Sequence, residues 1–120
     1  MKKLKIIVGL ILLVNSCIFI HMDDSIDLGS NYRYIQDTPQ SIIYHESSVY
    51  NGIGIEAIPP TIINYDFNDR YIIAKSKDWE SEIIKYWVID KKQDYFEIEP
   101  LDSLTFFNLL LENSIELKLN

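Results

Sequence analysis

Between residues 32 and 90 the chain is a succession of strand-length runs rich in β-branched and aromatic residues, joined by short connections. YRYIQ (32–36), SIIYHE (41–46), GIEAI (54–58), TIINYDF (61–67), RYIIAKS (70–76) and EIIKYWVID (82–90) are separated by turn chemistry: DTPQ, a glycine-containing loop, a Pro-Pro pair, ND and KDWES. A parallel pair of strands needs a crossover of about a dozen residues or more, so neighbours joined this closely must run antiparallel. The sequence therefore predicts a meander. Alternation in the last run sets Ile84, Tyr86 and Val88 on one face and Ile83, Lys85, Trp87 and Ile89 on the other. Neither row is polar, which predicts cover on both faces of the sheet. YFEIE (95–99), ahead of Pro100, is expected to form a further short strand.

The hydrophobic period changes in LDSLTFFNLLLEN (101–113). Leu104, Phe107 and Leu111 recur at helical spacing, joined by Leu110, so these side chains are expected to pack a helix on the sheet. Asp102 or Ser103 can cap its first amides and Asn113 suits its end. The following SIELKL alternates Ile115, Leu117 and Leu119 with Glu116 and Lys118, which predicts a terminal edge strand, a longer helix being the alternative. The fold class is thus α+β: an antiparallel β-meander sheet of about five to seven strands with one C-terminal amphipathic helix packed on it, forming a single domain over 31–120.

Ahead of that domain, MKKLKIIVGLILLVNSC has the parts of a secretory signal: Lys2, Lys3 and Lys5, an apolar core from Ile6 to Val14, and small polar residues before Cys17. The apolar stretch falls short of the roughly 20 residues that cross a bilayer as a helix. VNSC resembles the lipobox of bacterial lipoproteins, in which the cysteine becomes the mature N-terminus. That resemblance implies a signal peptide over 1–16, a lipid on Cys17 and a lipid-anchored tether over 17–30, whose residues from His21 on are polar and acidic. A thiolate is the nucleophile needed to take up a diacylglycerol as a thioether, and two or more acyl chains anchor stably. Asn15 and the apolar IFI (18–20) depart from the usual lipobox surroundings, and an uncleaved signal anchor is the alternative. Either places the protein in a bacterial cell envelope, facing the periplasm or the cell surface.

Charge narrows the partners. Eleven basic against eighteen acidic residues give a formal charge of −7, and losing Lys2, Lys3 and Lys5 with the signal leaves eight against eighteen, or −10. Nucleic acid and anionic lipid surfaces need clustered Lys and Arg and are disfavoured; a basic protein partner or a cation is permitted. With one cysteine, the chain can hold neither an internal disulfide nor a cysteine-ligated zinc. Stability must come from packing by many Ile with eight Tyr, five Phe and two Trp, in a small domain expected to be monomeric.

The order DLGSNYRYI, SIIYH, NYDFNDRYIIAKS, KYWVIDKK and PLDSLTFFNLL is similar to an uncharacterised family of small bacterial lipoproteins, over residues 27–111. The likeness implies envelope location and the α+β framework. It carries over no functional residue.

Candidate chemistry is sparse. His45 and Glu46 in YHESS would make a general base and carboxylate, but neighbours in a strand point to opposite faces, so a surface or edge histidine is expected. DFND (66–69) begins like a calcium loop and then fails at Arg70, with no glycine or closing glutamate in place; it reads as a hairpin turn. Asp23, Asp24 and Asp27 read as solvation of the tether. No nucleophile elbow, phosphate loop or dinucleotide fingerprint occurs, so no catalytic residue, metal or cofactor is expected. Most tyrosines should be core. Tyr50, among turn residues in SSVYNGIG (47–54), is the candidate binding anchor, with Tyr44 and His45 near it in sequence; Tyr50 folding back over the sheet is the alternative. These readings favour a non-catalytic interaction module over a structural envelope lipoprotein, with a small hydrolase or ligand-binding protein third.

Overall fold

The computed structural model of the protein describes residues 25–120. The signal segment, Cys17, His21, Asp23 and Asp24 lie outside them. Seven strands run in chain order: β1 (Ser25–Gly29), β2 (Tyr32–Ile35), β3 (Ser41–Tyr44), β4 (Ile55–Ile58), β5 (Ile62–Phe67), β6 (Tyr71–Lys77) and β7 (Ile84–Asp90). A 3-10 turn (Tyr95–Glu97) and one helix, α1 (Ser103–Glu112), follow. The class is α+β, as expected, and every sheet neighbour is antiparallel and consecutive in sequence.

The meander is divided into two sheets, β1-β2-β3-β4 and β5-β6-β7. Pro59 and Pro60 stand at the division. Proline has no amide hydrogen to donate, so the pair cannot extend a ladder from β4 into β5. The second sheet instead packs face to face on the first. Leu28, Tyr32, Ile42 and Ile58 meet Ile62, Ile72, Ala74, Trp87 and Ile89 in one buried cluster. Within it, Trp87 Nε1 donates to Ser76 Oγ at 2.8 Å, so both buried polar groups are satisfied.

Residues 25–29, expected in the tether, form β1 and pair with β2 from Ser25↔Ile35 to Gly29↔Tyr32. The reason lies in the loop. Ser30 and Asn31 both have positive φ (52° and 71°), as a two-residue type I′ hairpin requires. Asn suits that conformation; Ser at its first position hides the hairpin from a search for Asn-Gly or Gly-Gly.

The other face of β5–β7 is covered by α1. Asp102 caps the helix, its carboxylate accepting from Thr105 N at 2.7 Å. The phase differs from expectation. Phe106 is fully buried and packs with Leu110, Ile73 and Ile115, while Leu104, Phe107 and Leu111 are 72%, 51% and 78% exposed. Tyr86 on β7 explains the choice: its ring meets Phe106 at 4.9 Å and leaves Phe107 at the margin, 5.8 Å away. The helix closes with a Schellman arrangement in which Ser114 N donates to Leu111 O, Ile115 N donates to Leu110 O, and Ser114 takes the left-handed φ of 53°.

Two further expectations are corrected. YFEIE holds the 3-10 turn in place of a strand, and β7 is met there by one bridge, Tyr86↔Leu101. The terminal SIELKL is no edge strand, because its link to β5 runs through a side chain: Lys118 N donates to Asp66 Oδ2 at 3.1 Å. Its alternation persists, with Ile115 buried, Leu117 and Leu119 half-buried and Glu116 and Lys118 exposed.

Candidate functional site

Three places bear on function: the β3–β4 loop, the junction of the two sheets, and the outer surface of α1. The loop leaves β3 through His45, which is buried and not at the surface. Its amide donates to Asn31 O at 2.9 Å, pinning the loop to the β1–β2 turn. Its Nδ1 lies 2.7 Å from Ser47 O; a carbonyl can only accept, so this nitrogen is the protonated one. The imidazole is thereby held by backbone, and Glu46, also beyond the end of β3, is exposed to solvent while His45 is buried.

Tyr50 folds back. It is half-buried, with its ring 5.2 Å from that of His45 and the Arg33 guanidinium 4.6 Å over it. Arg33 is itself held by Ser25, donating to its Oγ at 2.9 Å. The outcome is a cation–π contact and a tilted ring pair beside an open hollow of about 360 Å³, while Val49 and Ile53 project from the loop. Tyr44 belongs elsewhere. It faces the inter-sheet core, stacked on Tyr95 at 4.6 Å and tilted 5.2 Å from Tyr32. The three binding candidates thus divide, with His45 and Tyr50 together and Tyr44 across the sheet.

Tyrosines line the junction between the sheets, where Tyr34 and Tyr65 also stack at 4.2 Å. Burial pushes the Tyr32 hydroxyl up to about 12, helped by the charges of Tyr44 and Asp94. Lys91 closes one end of the junction. Its Nζ donates to Leu28 O on β1 and to Asn68 O in the β5–β6 turn, with the Phe67 ring 5.5 Å away. Burial holds this amine below the usual lysine range, against the pull of Asp69 and Asp27. Gly29, at φ 89°, makes room: a Cβ there would lie 3.0 Å from Lys91 Nζ. Nothing in the sequence singles out Lys91, since KKQD (91–94) has only the composition of a turn.

DFND forms a turn, as expected. Asn68 Oδ1 accepts from Arg70 N and Tyr71 N, and Asp66 is committed to backbone amides. Beside it Arg70 donates to Asp90 Oδ2 at 3.1 Å, a bond that holds the Asp90 carboxyl below the usual range. Among the described residues no group of three or more His, Cys, Asp or Glu could hold a metal ion.

The third place is the outer surface of α1. Leu104, Phe107 and Leu111, at i, i+3 and i+7, form an outward apolar stripe, and Leu117 and Leu119 of the tail border a groove of about 350 Å³ beside it. Leu104 and Leu111 lie outside the buried cluster that Phe106 and Leu110 make with the sheet, and Phe107 reaches it only at the margin, through Tyr86. Sequence periodicity did find the stripe, though with the wrong destination.

No curated protein and no solved structure matches the chain. A family model, described as a protein of unknown function (DUF3997), matches residues 29–120, covering β2 to the tail. The chain therefore belongs to the DUF3997 family.

Proposed function

We propose that the protein is a lipid-anchored, non-catalytic interaction module of the bacterial cell envelope. One observation carries the interaction: a domain whose helix already buries one apolar stripe exposes a second, and contiguous exposed apolar surface marks sites where proteins meet partners. The anchor is supported by the basic, apolar and VNSC segments at the start of the sequence. Since β1 begins at Ser25, eight residues beyond Cys17, an extended linker would hold the folded part within about 29 Å of the lipid. Any partner must then be met at the membrane. The backbone-bound His45 and diverging Glu46 support a module without acid–base chemistry.

The test is capture of the full chain from its own envelope, alongside Cys17→Ser labelled with a palmitate analogue. The parent should incorporate label and retain a partner from the membrane fraction, and the variant should lose both. Equal labelling would remove the anchor, and capture of nothing from either form would remove the interaction.

A further inference from the structure

Helix α1 has two dissimilar flanks. On one, Phe107, Leu111, Leu117 and Leu119 border a mainly apolar groove whose one charged lining residue is Lys118. On the other, Leu109 borders a hollow of about 270 Å³ whose far wall carries Asp90, Glu97 and Glu99. Asp90 is engaged by Arg70. Among the described residues the ion pairs are Arg70–Asp90 and Lys77–Glu82, so Glu97 and Glu99 stand exposed with their charges uncompensated. Apolar and acidic surface thus lie a helix width apart, about 10 Å.

From this juxtaposition we infer that α1 docks a segment of another protein that sets an apolar side chain in the groove and a lysine or arginine against Glu97 and Glu99. Burying the apolar side chain supplies affinity, and the opposite charges supply orientation and speed of encounter. A second copy or an anionic bilayer would meet net repulsion, since the chain carries eighteen acidic against eleven basic residues. The inference rests on the interaction reading above and names its surface and the chemistry of its partner.

Photo-crosslinking in intact cells tests it, with p-benzoylphenylalanine replacing Leu111 in the full chain and, in separate strains, replacing Val49 or Trp79, which are also exposed. The expected result is an adduct from position 111 that maps to a partner segment carrying apolar residues beside Lys or Arg. Its yield should fall about tenfold with Glu97→Lys and Glu99→Lys combined, at an unchanged melting midpoint. Should that double variant melt early, Glu97→Gln with Glu99→Gln carries the same expectation. An adduct of twice the chain mass, a lipid adduct, a mapped segment without basic residues, or a yield indifferent to the glutamates overturns the proposal. Silence at 111 with a partner captured at 49 or 79 overturns this surface and leaves the interaction reading standing. Silence at all three overturns both.

Discussion

The two faces of the β5–β7 sheet are covered in different ways. Toward β1–β4, side chains from both sheets interlock, and Ile42, Ile58, Ile72 and Ala74 lose all exposure. Toward α1, a ten-residue helix contributes Phe106 and Leu110 and leaves Leu104, Phe107 and Leu111 in solvent. A sheet presents every second residue to its neighbour, so sheet-on-sheet packing can consume a whole apolar row. A helix turns its surface through a full circle, and apolar residues beyond one stripe remain outside. The contrast separates apolar residues that hold the fold from those left over for other contacts.

Phe106→Ala should give the largest effect, about 3 to 5 kcal/mol by chemical denaturation, because the ring is fully buried between α1 and β6–β7. A loss below about 1 kcal/mol would put Phe106 at the surface and erase the contrast. On the opposite face, Trp87→Phe leaves Ser76 Oγ buried without its donor and should cost about 1 to 3 kcal/mol by the same measurement. An unchanged midpoint there would mean that another group takes over the bond.

Absent at neutral pH, and emerging under alkali, is the contribution of Tyr32. Its folded value near 12 exceeds the ordinary 10.0, so the unfolded chain loses its proton first. Stability is untouched below about pH 10 and declines as pH rises toward 12. Tyr32→Phe should flatten this alkaline limb in unfolding curves measured across that range; a limb equally steep in the variant would exclude Tyr32 as its source. The smallest effect belongs to the outer stripe. Leu111→Ala and Phe107→Ala should each cost less than about 1 kcal/mol, since both side chains are at least half exposed. A larger cost would make that stripe part of the fold and undercut its use as a docking surface.

Much of this architecture was legible in the sequence, and the failures share a cause. Runs from SIIYHE to EIIKYWVID became β3 to β7 because strand alternation and short turns are local signals. The helix was legible too, but LTFFNLLLE carries two apolar stripes, and their choice was settled by Tyr86 on another element. The division at Pro59-Pro60 was visible as a turn, whereas the stacking of one half of the meander on the other depends on long-range packing. The tail kept its alternation without acquiring a strand partner. At the candidate site, His45 and Glu46 do part, one buried and one exposed, but in a loop beyond the end of β3, and the return of that loop over Tyr50 depends on Arg33 and Asn31, from a hairpin whose first strand falls in the stretch expected as tether.

Lys91 has a consequence for how the protein opens. One ammonium, carried just beyond β7, grips a carbonyl on β1 of the other sheet and a second in the β5–β6 turn of its own sheet, so parting the sheets there would take a partly buried charge away from its Leu28 acceptor. The halves of the molecule should therefore come apart in concert rather than by peeling of β1, and hydrogen exchange should find the amides of both sheets protected to a similar degree, as one cooperative unit.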